Sequence, residues 1–242
     1  MAATDLVSLL DHAVPGSSTP LNGYVARPAT AGPWPGILVI HEAFGLDDVM
    51  RRHADRLATA GYLTVAVDLF SAGGATRCLV GTFRALLSGR GRAYADIESG
   101  RQWLLAQPDC TGTAGTIGFC MGGGFALMTA SSGFDAASVN YGQVPKGLDA
   151  VARGACPVVG SYGGIDRGLN GAAAKVEAAL TRAGVPHDVK EYPGAGHSFL
   201  NDAPNGPRVL RPLLRVANIG PHQDAAADAW RRIEAFFAAH LR

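Results

Sequence analysis

Short apolar runs and longer amphipathic runs alternate along this chain. Residues 36–40 are apolar on both faces, as is typical of a buried strand in a parallel sheet. Further strands are predicted at residues 62–67, 116–117, 136–141, 156–161 and 187–192, with an edge strand at 22–27. The alternation of strands with helices of these lengths indicates an α/β fold, in which helices cover both faces of a mostly parallel sheet.

The amphipathic runs predict helices at residues 47–60, 91–107, 125–130, 172–183 and 225–241. In the first of these, Asp47 is suited to cap the N-terminus and Gly61 to end the helix. Residues 70–90 are rich in glycine and predict an irregular segment with a short helix around 77–87. Residues 207–212 are bounded by two prolines, which favours a surface loop.

The composition narrows the class of protein. The chain has 242 residues, of which 48% are hydrophobic and 17% charged, as expected of a folded globular protein. Its net charge of +1 provides no electrostatic attraction toward nucleic acid or an anionic membrane. Residues 1–15 lack the pattern of a signal peptide, and no apolar run approaches the length of a membrane span. The four cysteines match no zinc or compact disulfide pattern, so we expect a cytoplasmic protein with reduced thiols.

The strongest chemical signal is the segment 118–124, Gly-Phe-Cys-Met-Gly-Gly-Gly, which lies between a predicted strand and a predicted helix. This is the context of a nucleophile elbow, with Cys120 where serine usually stands. Glycine neighbours allow the tight turn that holds such a nucleophile, and the helix N-terminus favours the thiolate form. The motif predicts a hydrolase that forms a covalent thioester, whereas cysteines in general are more often inert and buried.

Two further residues follow predicted strands in the order nucleophile, acid, histidine that is typical of α/β-hydrolases. Asp166 lies in the loop after residues 156–161, and His197 lies in a glycine-rich loop after residues 187–192. His197 can accept and return a proton, and Asp166 can fix its tautomer. Taken singly, His197 could be a surface-loop histidine and Asp166 a turn residue or helix cap.

Five short motifs stand at or near strand ends: His-Glu-Ala-Phe-Gly-Leu at 41–46, Gly-Phe-Cys-Met-Gly-Gly at 118–123, Tyr-Gly at 141–142, Gly-Gly-Ile-Asp at 163–166 and Gly-His-Ser-Phe at 196–199. In these motifs the chain resembles the dienelactone hydrolase family, the carboxymethylenebutenolidase-like α/β-hydrolases. The resemblance implies one α/β-hydrolase domain over residues 1–242 and a triad of Cys120, His197 and Asp166. It also implies that Glu42 holds the resting thiol and helps to activate it. Without the resemblance, Glu42 could equally be an exposed carboxylate at a strand end.

The pocket around this triad can be predicted only in part. By analogy with the fold, the oxyanion hole would be formed by the backbone N–H groups of Met121 and Ala43. Backbone donors leave no side-chain signature, so this assignment depends on the fold. Tyr141, Phe44 and Trp34 are candidates for lining the pocket, although such residues more often lie in a core.

The chain departs from the family where substrate is bound. Lactone-cleaving members carry an arginine four residues beyond the catalytic histidine, and this chain has Asn201 there, so Glu42 lacks the arginine partner of those members. A second family arginine corresponds loosely to Arg77, while Arg208 and Arg211 are alternatives further along the chain. Asn201 and Arg77 are therefore candidates for substrate binding. Without a bidentate arginine clamp, the preference for a substrate carboxylate should weaken.

The thiol itself restricts the substrate. A tetrahedral intermediate expels the better leaving group, and a thiolate, whose parent thiol has a pKa of about 8.5, leaves more readily than an alkoxide. Productive cleavage therefore favours enol, phenol or thiol leaving groups. We expect the substrate to be a small-molecule activated lactone or ester.

The contrasting hypothesis is a catalytically slow scaffold that binds a ligand or senses redox state through its thiol. A nucleotide site is set aside because residues 122–124 lack the G-x-G-x-x-G spacing. A metal site is also disfavoured, because His41 and Glu42 do not form an H-E-x-x-H motif. We expect no cofactor, no metal, and no nucleic acid or membrane partner. The oligomeric state is open, with a monomer as the default.

Overall fold

The computed structural model describes residues 6–204 and 206–242. Within them, eight strands form one sheet: β1 (Leu6–Ser8), β2 (Asn22–Ala26), β3 (Trp34–Ile40), β4 (Leu63–Val67), β5 (Cys110–Phe119), β6 (Ala136–Asn140), β7 (Val158–Gly163) and β8 (His187–Tyr192). The order across the sheet is β1-β2-β4-β3-β5-β6-β7-β8. β1 and β2 are antiparallel to their neighbours and all other pairs are parallel, which confirms the predicted mostly parallel sheet.

The described helices are α1 (Asp48–Thr59), α2 (Gly74–Ser88), α3 (Arg92–Leu105), α4 (Met121–Met128), α5 (Leu148–Ala152), α6 (Ala172–Ala183), α7 (Arg211–Val216) and α8 (Gln223–Leu241). All of them except α7, which buries no residue, contribute to the cores on the two faces of the sheet. Successive side chains of a strand point to opposite faces, so each strand feeds two cores. In β3, Ile37 and Val39 belong to a core with α1 and α8. Leu38 and Ile40 belong to the other core, with α2, α3, α4 and α6.

Several helices and strands begin or end at the residues that the sequence predicts. The Asp47 carboxylate caps α1 by accepting from the Met50 N–H at 3.0 Å. Gly61, which follows the helix, has a φ of +95° that favours glycine. The helix at residues 172–183 and the strand at 187–192 are confirmed with the predicted bounds. No helix in the described ranges is long and apolar enough to cross a membrane.

The prediction that residues 22–27 form an edge strand is wrong. β1 pairs with β2 on its outer side, with Leu6 opposite Tyr24, so β1 occupies the edge. A strand of three residues is too short to show an alternating pattern of apolar and polar residues.

β7 begins two residues later than predicted, at Val158 instead of Cys156. Pro157 lies between them and has no N–H to donate to a neighbouring strand. The Cys156 N–H instead donates to the Ala130 carbonyl at 2.8 Å, outside the sheet. The strand then continues to Gly163, which brings the following loop to the carboxyl edge of the sheet.

Two segments predicted as largely irregular contain helices. α2 runs from Gly74 to Ser88 and is longer than the short helix predicted at 77–87, because Cys78 and Leu86 bury its inner face. α7 lies where a surface loop was expected. Pro212 occupies the first turn of α7, where a missing N–H breaks no helical hydrogen bond.

Candidate active site

The strand ends bring the predicted catalytic residues to one edge of the sheet. Glu42 follows β3, Cys120 follows β5, Asp166 follows β7 and His197 follows β8. These strands run parallel, so all four residues lie at carboxyl ends. In open α/β sheets this is the edge at which ligands bind.

The segment around Cys120 has the strand–turn–helix geometry of an elbow. Cys120 has φ +53° and ψ −115°, which is strained for a residue with a Cβ, and α4 begins at the next residue. A Cβ on Gly118 would overlap the backbone of Gly122. A Cβ on Gly122 would overlap the carbonyl oxygen of Ile40 at the end of β3. The glycines are therefore required because two backbones approach each other more closely than a Cβ allows.

Three other residues with side chains adopt positive φ in the described part of the chain, and they surround the same site. Tyr141 has φ +41°, Ser198 has φ +58° and Asn218 has φ +56°. Tyr141 follows β6 and Ser198 follows His197 directly. The Asn218 carbonyl accepts from the His197 N–H at 2.9 Å. Strained backbone of this kind costs about 1 kcal/mol or more per residue and commonly accumulates at functional sites.

His197 and Asp166 form a direct pair. The Nδ1 atom of His197 lies 2.5 Å from Oδ2 of Asp166. The other carboxylate oxygen of Asp166, Oδ1, accepts from the Gly168 N–H at 3.0 Å. Asp166 is therefore both the turn residue and the histidine partner that the sequence left as alternatives. Its second hydrogen bond holds the carboxylate in place for the imidazole.

The side chain of Cys120 also acts on the His197 ring, and its effect is seen in the pKa of this histidine. Burial alone would lower the pKa of His197, but the hydrogen bonds and negative charge of Asp166 and Cys120 outweigh it and raise this pKa to about 10. The imidazole therefore holds a proton readily while it lies between the thiol and the carboxylate. An arrangement of this kind can exchange a proton with a reacting group at Cys120.

Glu42 is buried rather than exposed. The amide nitrogen of Asn201 lies 3.3 Å from each of its carboxylate oxygens, and the Tyr141 side chain is also hydrogen-bonded to it. Burial, together with the negative charge of Glu42 and Cys120, raises the pKa of Tyr141, which keeps the phenol protonated. Asn201 thus binds Glu42 at the position where lactone-cleaving members of the family have an arginine. Because Asn201 is buried against Glu42, its amide nitrogen is directed at this carboxylate.

His53 was missed by the sequence analysis. It lies on the buried face of α1, and its Nε2 is 3.2 Å from the Asn201 side-chain oxygen. Its ring stacks on Phe119 at 4.6 Å and lies 5.1 Å from the Trp230 ring. Burial lowers the pKa of His53 to about 4, so the ring is neutral and Nε2–H donates to Asn201. This contact directs the amide nitrogen of Asn201 toward Glu42.

The two predicted oxyanion donors belong to the segments that carry Cys120 and Glu42. The Met121 N–H is the first of α4 and has no carbonyl within its own helix to bind. Ala43 lies in the loop after β3, in a turn closed by a 3.1 Å hydrogen bond from the Gly45 N–H to the Glu42 carbonyl. Both groups are therefore positioned by elements that also hold Cys120 and Glu42.

The remaining candidates for lining the pocket, Phe44, Arg77 and Trp34, differ in where they lie in the fold. Phe44 is partly buried, and its ring lies against Gly206 in the segment that follows His197. Arg77 is exposed on α2. Trp34 begins β3 and therefore lies at the end of that strand opposite to Glu42, so the suggestion that it lines the pocket is wrong.

Arg208 and Arg211 line a cavity of about 820 Å³ beside the loops that carry the acid and the histidine. Ile165 and Gly196, which precede Asp166 and His197 directly, form part of the same cavity wall. Neither Cys120 nor Glu42 lines this cavity. The two arginines are thus adjacent to the triad loops without facing the thiol through this space. Within the described ranges, no cluster of three or more His, Cys, Asp and Glu residues could hold a metal ion.

Comparison with known proteins gives one consistent result. A model of the dienelactone hydrolase family matches residues 21–241. A protein of Methylorubrum extorquens named “Putative carboxymethylenebutenolidase” is 29% identical over 97% of this chain and 83% of its own length. A protein of Yersinia pestis with the same name is also 29% identical, over 94% of this chain and 86% of its own length.

Solved structures agree with these relatives. The crystal structure of a “Putative Dienelactone Hydrolase” from Klebsiella pneumoniae superimposes with a TM-score of 0.74. The two sequences are 26% identical, and the match covers 94% of this chain and 97% of that chain. A dienelactone hydrolase-like promiscuous phosphotriesterase from metagenomic libraries is 25% identical with a TM-score of 0.74, over 92% of this chain and 93% of that chain. With the family model matching nearly the whole sequence and the α/β-hydrolase sheet present, the chain belongs to the dienelactone hydrolase family.

Proposed function

We propose that this protein hydrolyses an activated lactone or ester through a thioester on Cys120. The observation that supports this most directly is the side-chain series Asp166, His197 and Cys120 at the carboxyl edge of the sheet, in which the imidazole is hydrogen-bonded to Asp166 and interacts with Cys120. This is the arrangement that lets a nucleophile, a proton carrier and an orienting carboxylate act together.

In the acylation step, Sγ of Cys120 attacks the substrate carbonyl carbon and a C–S bond forms. The carbonyl oxygen becomes an oxyanion, which the N–H groups of Met121 and Ala43 are proposed to bind. The C–O bond to the leaving group then breaks, and the proton held on Nε2 of His197 passes to the departing oxygen. Asp166 stays ionised and stabilises the imidazolium through Nδ1.

In the deacylation step, water attacks the thioester carbonyl while Nε2 of His197 takes one of its protons. The second tetrahedral intermediate breaks its C–S bond, releasing the acid and restoring the thiolate of Cys120 beside the protonated imidazole. The raised pKa of His197 favours the protonated imidazole at the end of this step. Glu42 is proposed to assist the thiol, since it shares Tyr141 as a neighbour with Cys120.

The nature of the nucleophile selects the leaving group. A thiolate, whose parent thiol has a pKa of about 8.5, is expelled in preference to an alkoxide. A phenol, with a pKa near about 10, or an enol competes far better than an aliphatic alcohol. We therefore propose substrates whose leaving group is an enol, a phenol or a thiol, which includes enol-lactones.

A panel with one acyl group tests this proposal. Phenyl acetate, vinyl acetate and ethyl acetate differ only in their phenol, enol and alcohol leaving groups. We expect the first two to be cleaved and ethyl acetate to be cleaved at least about a hundredfold more slowly. Equal rates for all three would contradict the thioester step.

The same panel on variants tests the residues. Cys120→Ala and His197→Ala should lose activity, because each removes a group that takes part in bond formation or proton transfer. Cys110→Ala is the matched control, since Cys110 lies at the other end of β5. Activity retained by Cys120→Ala would remove this residue from the mechanism. Rapid alkylation of Cys120 without turnover of any ester would instead favour a thiol sensor.

A further inference from the structure

His41 is fully buried between the oxyanion loop and the end of β4, and the proposed mechanism gives it no role. Its Nδ1 atom lies 2.6 Å from the carbonyl oxygen of Glu42. Its Nε2 atom lies 3.1 Å from the backbone nitrogen of Leu69. The edge-on contact with the Phe70 ring, 4.7 Å between ring centres, fixes the plane of the imidazole. Both ring nitrogens therefore bind backbone groups on two different strand-end loops.

These partners determine the tautomer. A backbone N–H can only donate, so Nε2 of His41 accepts from Leu69. The ring hydrogen of a neutral imidazole must then be on Nδ1, where it donates to the Glu42 carbonyl. Burial lowers the pKa of His41, although the bond to Glu42 and the negative charges of Asp68 and Asp47 oppose this shift. The ring is therefore neutral at neutral pH, as both hydrogen bonds require.

The Glu42 carbonyl belongs to the same peptide group as the Ala43 N–H. This carbonyl accepts twice, from His41 and from the Gly45 N–H at 3.1 Å. A trans peptide is planar, with its N–H pointing opposite to its C=O. Two donors that fix the direction of the carbonyl therefore also fix the direction of the Ala43 N–H.

We propose that His41 is a positioning residue that aims the Ala43 N–H at the oxyanion formed on the substrate. The inference rests on the proposed function, because it requires an oxyanion at the carbonyl attacked by Cys120. His41 touches neither the substrate nor the thiol in this account, and it acts only through the Glu42–Ala43 peptide. Loss of one oxyanion donor costs about a hundredfold to a thousandfold in rate, so loss of its alignment should cost about tenfold to a hundredfold.

Two substitutions separate the two hydrogen bonds of the ring. His41→Asn places an amide nitrogen near the position of Nδ1, where it can still donate to the Glu42 carbonyl but cannot reach Leu69. His41→Gln places its amide near the position of Nε2, where it can accept from Leu69 but loses the short bond to Glu42. The two variants carry the same amide group and differ by one methylene. Each therefore controls for effects of losing the imidazole ring that do not depend on a particular hydrogen bond.

We expect kcat/KM for phenyl acetate to fall about thirtyfold in His41→Gln and less than about fivefold in His41→Asn. A trifluoromethyl ketone, which forms a tetrahedral adduct with a thiolate, reports oxyanion binding separately. Its inhibition constant should rise in His41→Gln by a factor similar to the loss in kcat/KM. Alkylation of Cys120 by iodoacetamide creates no oxyanion, so its rate should stay within about twofold in both variants.

Equal losses in the two variants, or a larger loss in His41→Asn, would overturn the proposal, since activity would then not follow the bond to Glu42. A fall in the alkylation rate that matches the fall in kcat/KM would also overturn it, because His41 would then act on the thiol. Failure of the underlying function would appear differently. In that case the native enzyme would form no ketone adduct on Cys120, and the His41 variants would not be needed to see it.

Discussion

His197 is the side chain on which the proposed chemistry depends, because its two ring nitrogens face different partners. Nδ1 is fixed by Asp166 at 2.5 Å, which leaves Nε2 toward Cys120. The pKa of about 10 results from opposing effects: burial lowers it, while the hydrogen bonds and charges of Asp166 and Cys120 raise it. The proton on Nε2 of His197 is therefore available to the oxygen of the departing substrate group.

Asp166→Asn should lower the pKa of His197 from about 10, since the substitution removes one of the two groups that raise it. We expect kcat/KM to fall by about a thousandfold or more, because the amide no longer stabilises the imidazolium or fixes its tautomer. An NMR titration of the His197 ring, together with ester kinetics, measures both effects.

Asp149→Asn is the control for this substitution. Asp149 pairs with Arg182 at 2.6 Å, and both side chains are more than half exposed. An exposed pair contributes little, so this variant should retain native kinetics. A His197 pKa that does not change in Asp166→Asn would show that the carboxylate does not act as we describe.

At the scale of elements, the site depends on how closely α4 approaches β3. The first turn of α4 passes the end of β3 at a distance that only glycine at position 122 allows. This approach sets Cys120 beside the loop that carries Glu42 and Ala43. The backbone oxygens of Ile40 and His41 that a Cβ would meet belong to the end of the central strand and cannot move away freely.

Gly122→Ala should destabilise the protein by about 3 kcal/mol or more and lower activity, because the added methyl group overlaps backbone atoms. Urea unfolding measures the free energy. Gly81→Ala is the matched control: this glycine lies within α2 and nothing stands within 4 Å of an added Cβ. It should be stabilising by up to about 1 kcal/mol, since alanine favours the helix. Equal stability of the two variants would contradict the close approach.

Some residues of the candidate site could be located from the sequence and others could not. The placement of Cys120 and His197 at the carboxyl edge of the sheet could be predicted because each stands in a glycine-marked loop after a predicted strand. His53 could not, because its partner Asn201 is 148 residues away and the helical pattern of α1 shows only that the position is buried. The length of β7 was misjudged at Pro157, whose effect on strand pairing depends on which neighbour lies beside it.

At the scale of the whole molecule, the buried His53 ring makes the stability of the fold depend on pH. It is buried in the core between α1 and α8, and its pKa is lowered to about 4 by burial. In the unfolded chain a histidine has a pKa of about 6.5. Between these two values the unfolded state binds a proton that the folded state does not. Stability is therefore complete above about pH 6.5 and falls by about 3 kcal/mol as the pH decreases to about 4.

His53→Phe should remove this loss while keeping the ring packed on Phe119 and Trp230. The free energy of urea unfolding, measured from pH 7 to pH 4.5, should decrease less steeply in the variant than in the native protein. Carboxylates titrate in both proteins and cancel in the comparison. His12→Gln, at a partly exposed residue, is the control for removing a histidine outside the core. Identical slopes for His53→Phe and the native protein would show that His53 is not buried as a neutral ring.

The central claim is that catalysis passes through an acyl group on Cys120, and intact-mass measurement of the enzyme quenched within one turnover of phenyl acetate tests it most directly. The account predicts an acetyl adduct that maps to Cys120, forms before the acid is released, and is absent in Cys120→Ala. Steady turnover with no adduct on Cys120, or an adduct on another residue that disappears at the rate of turnover, would contradict it.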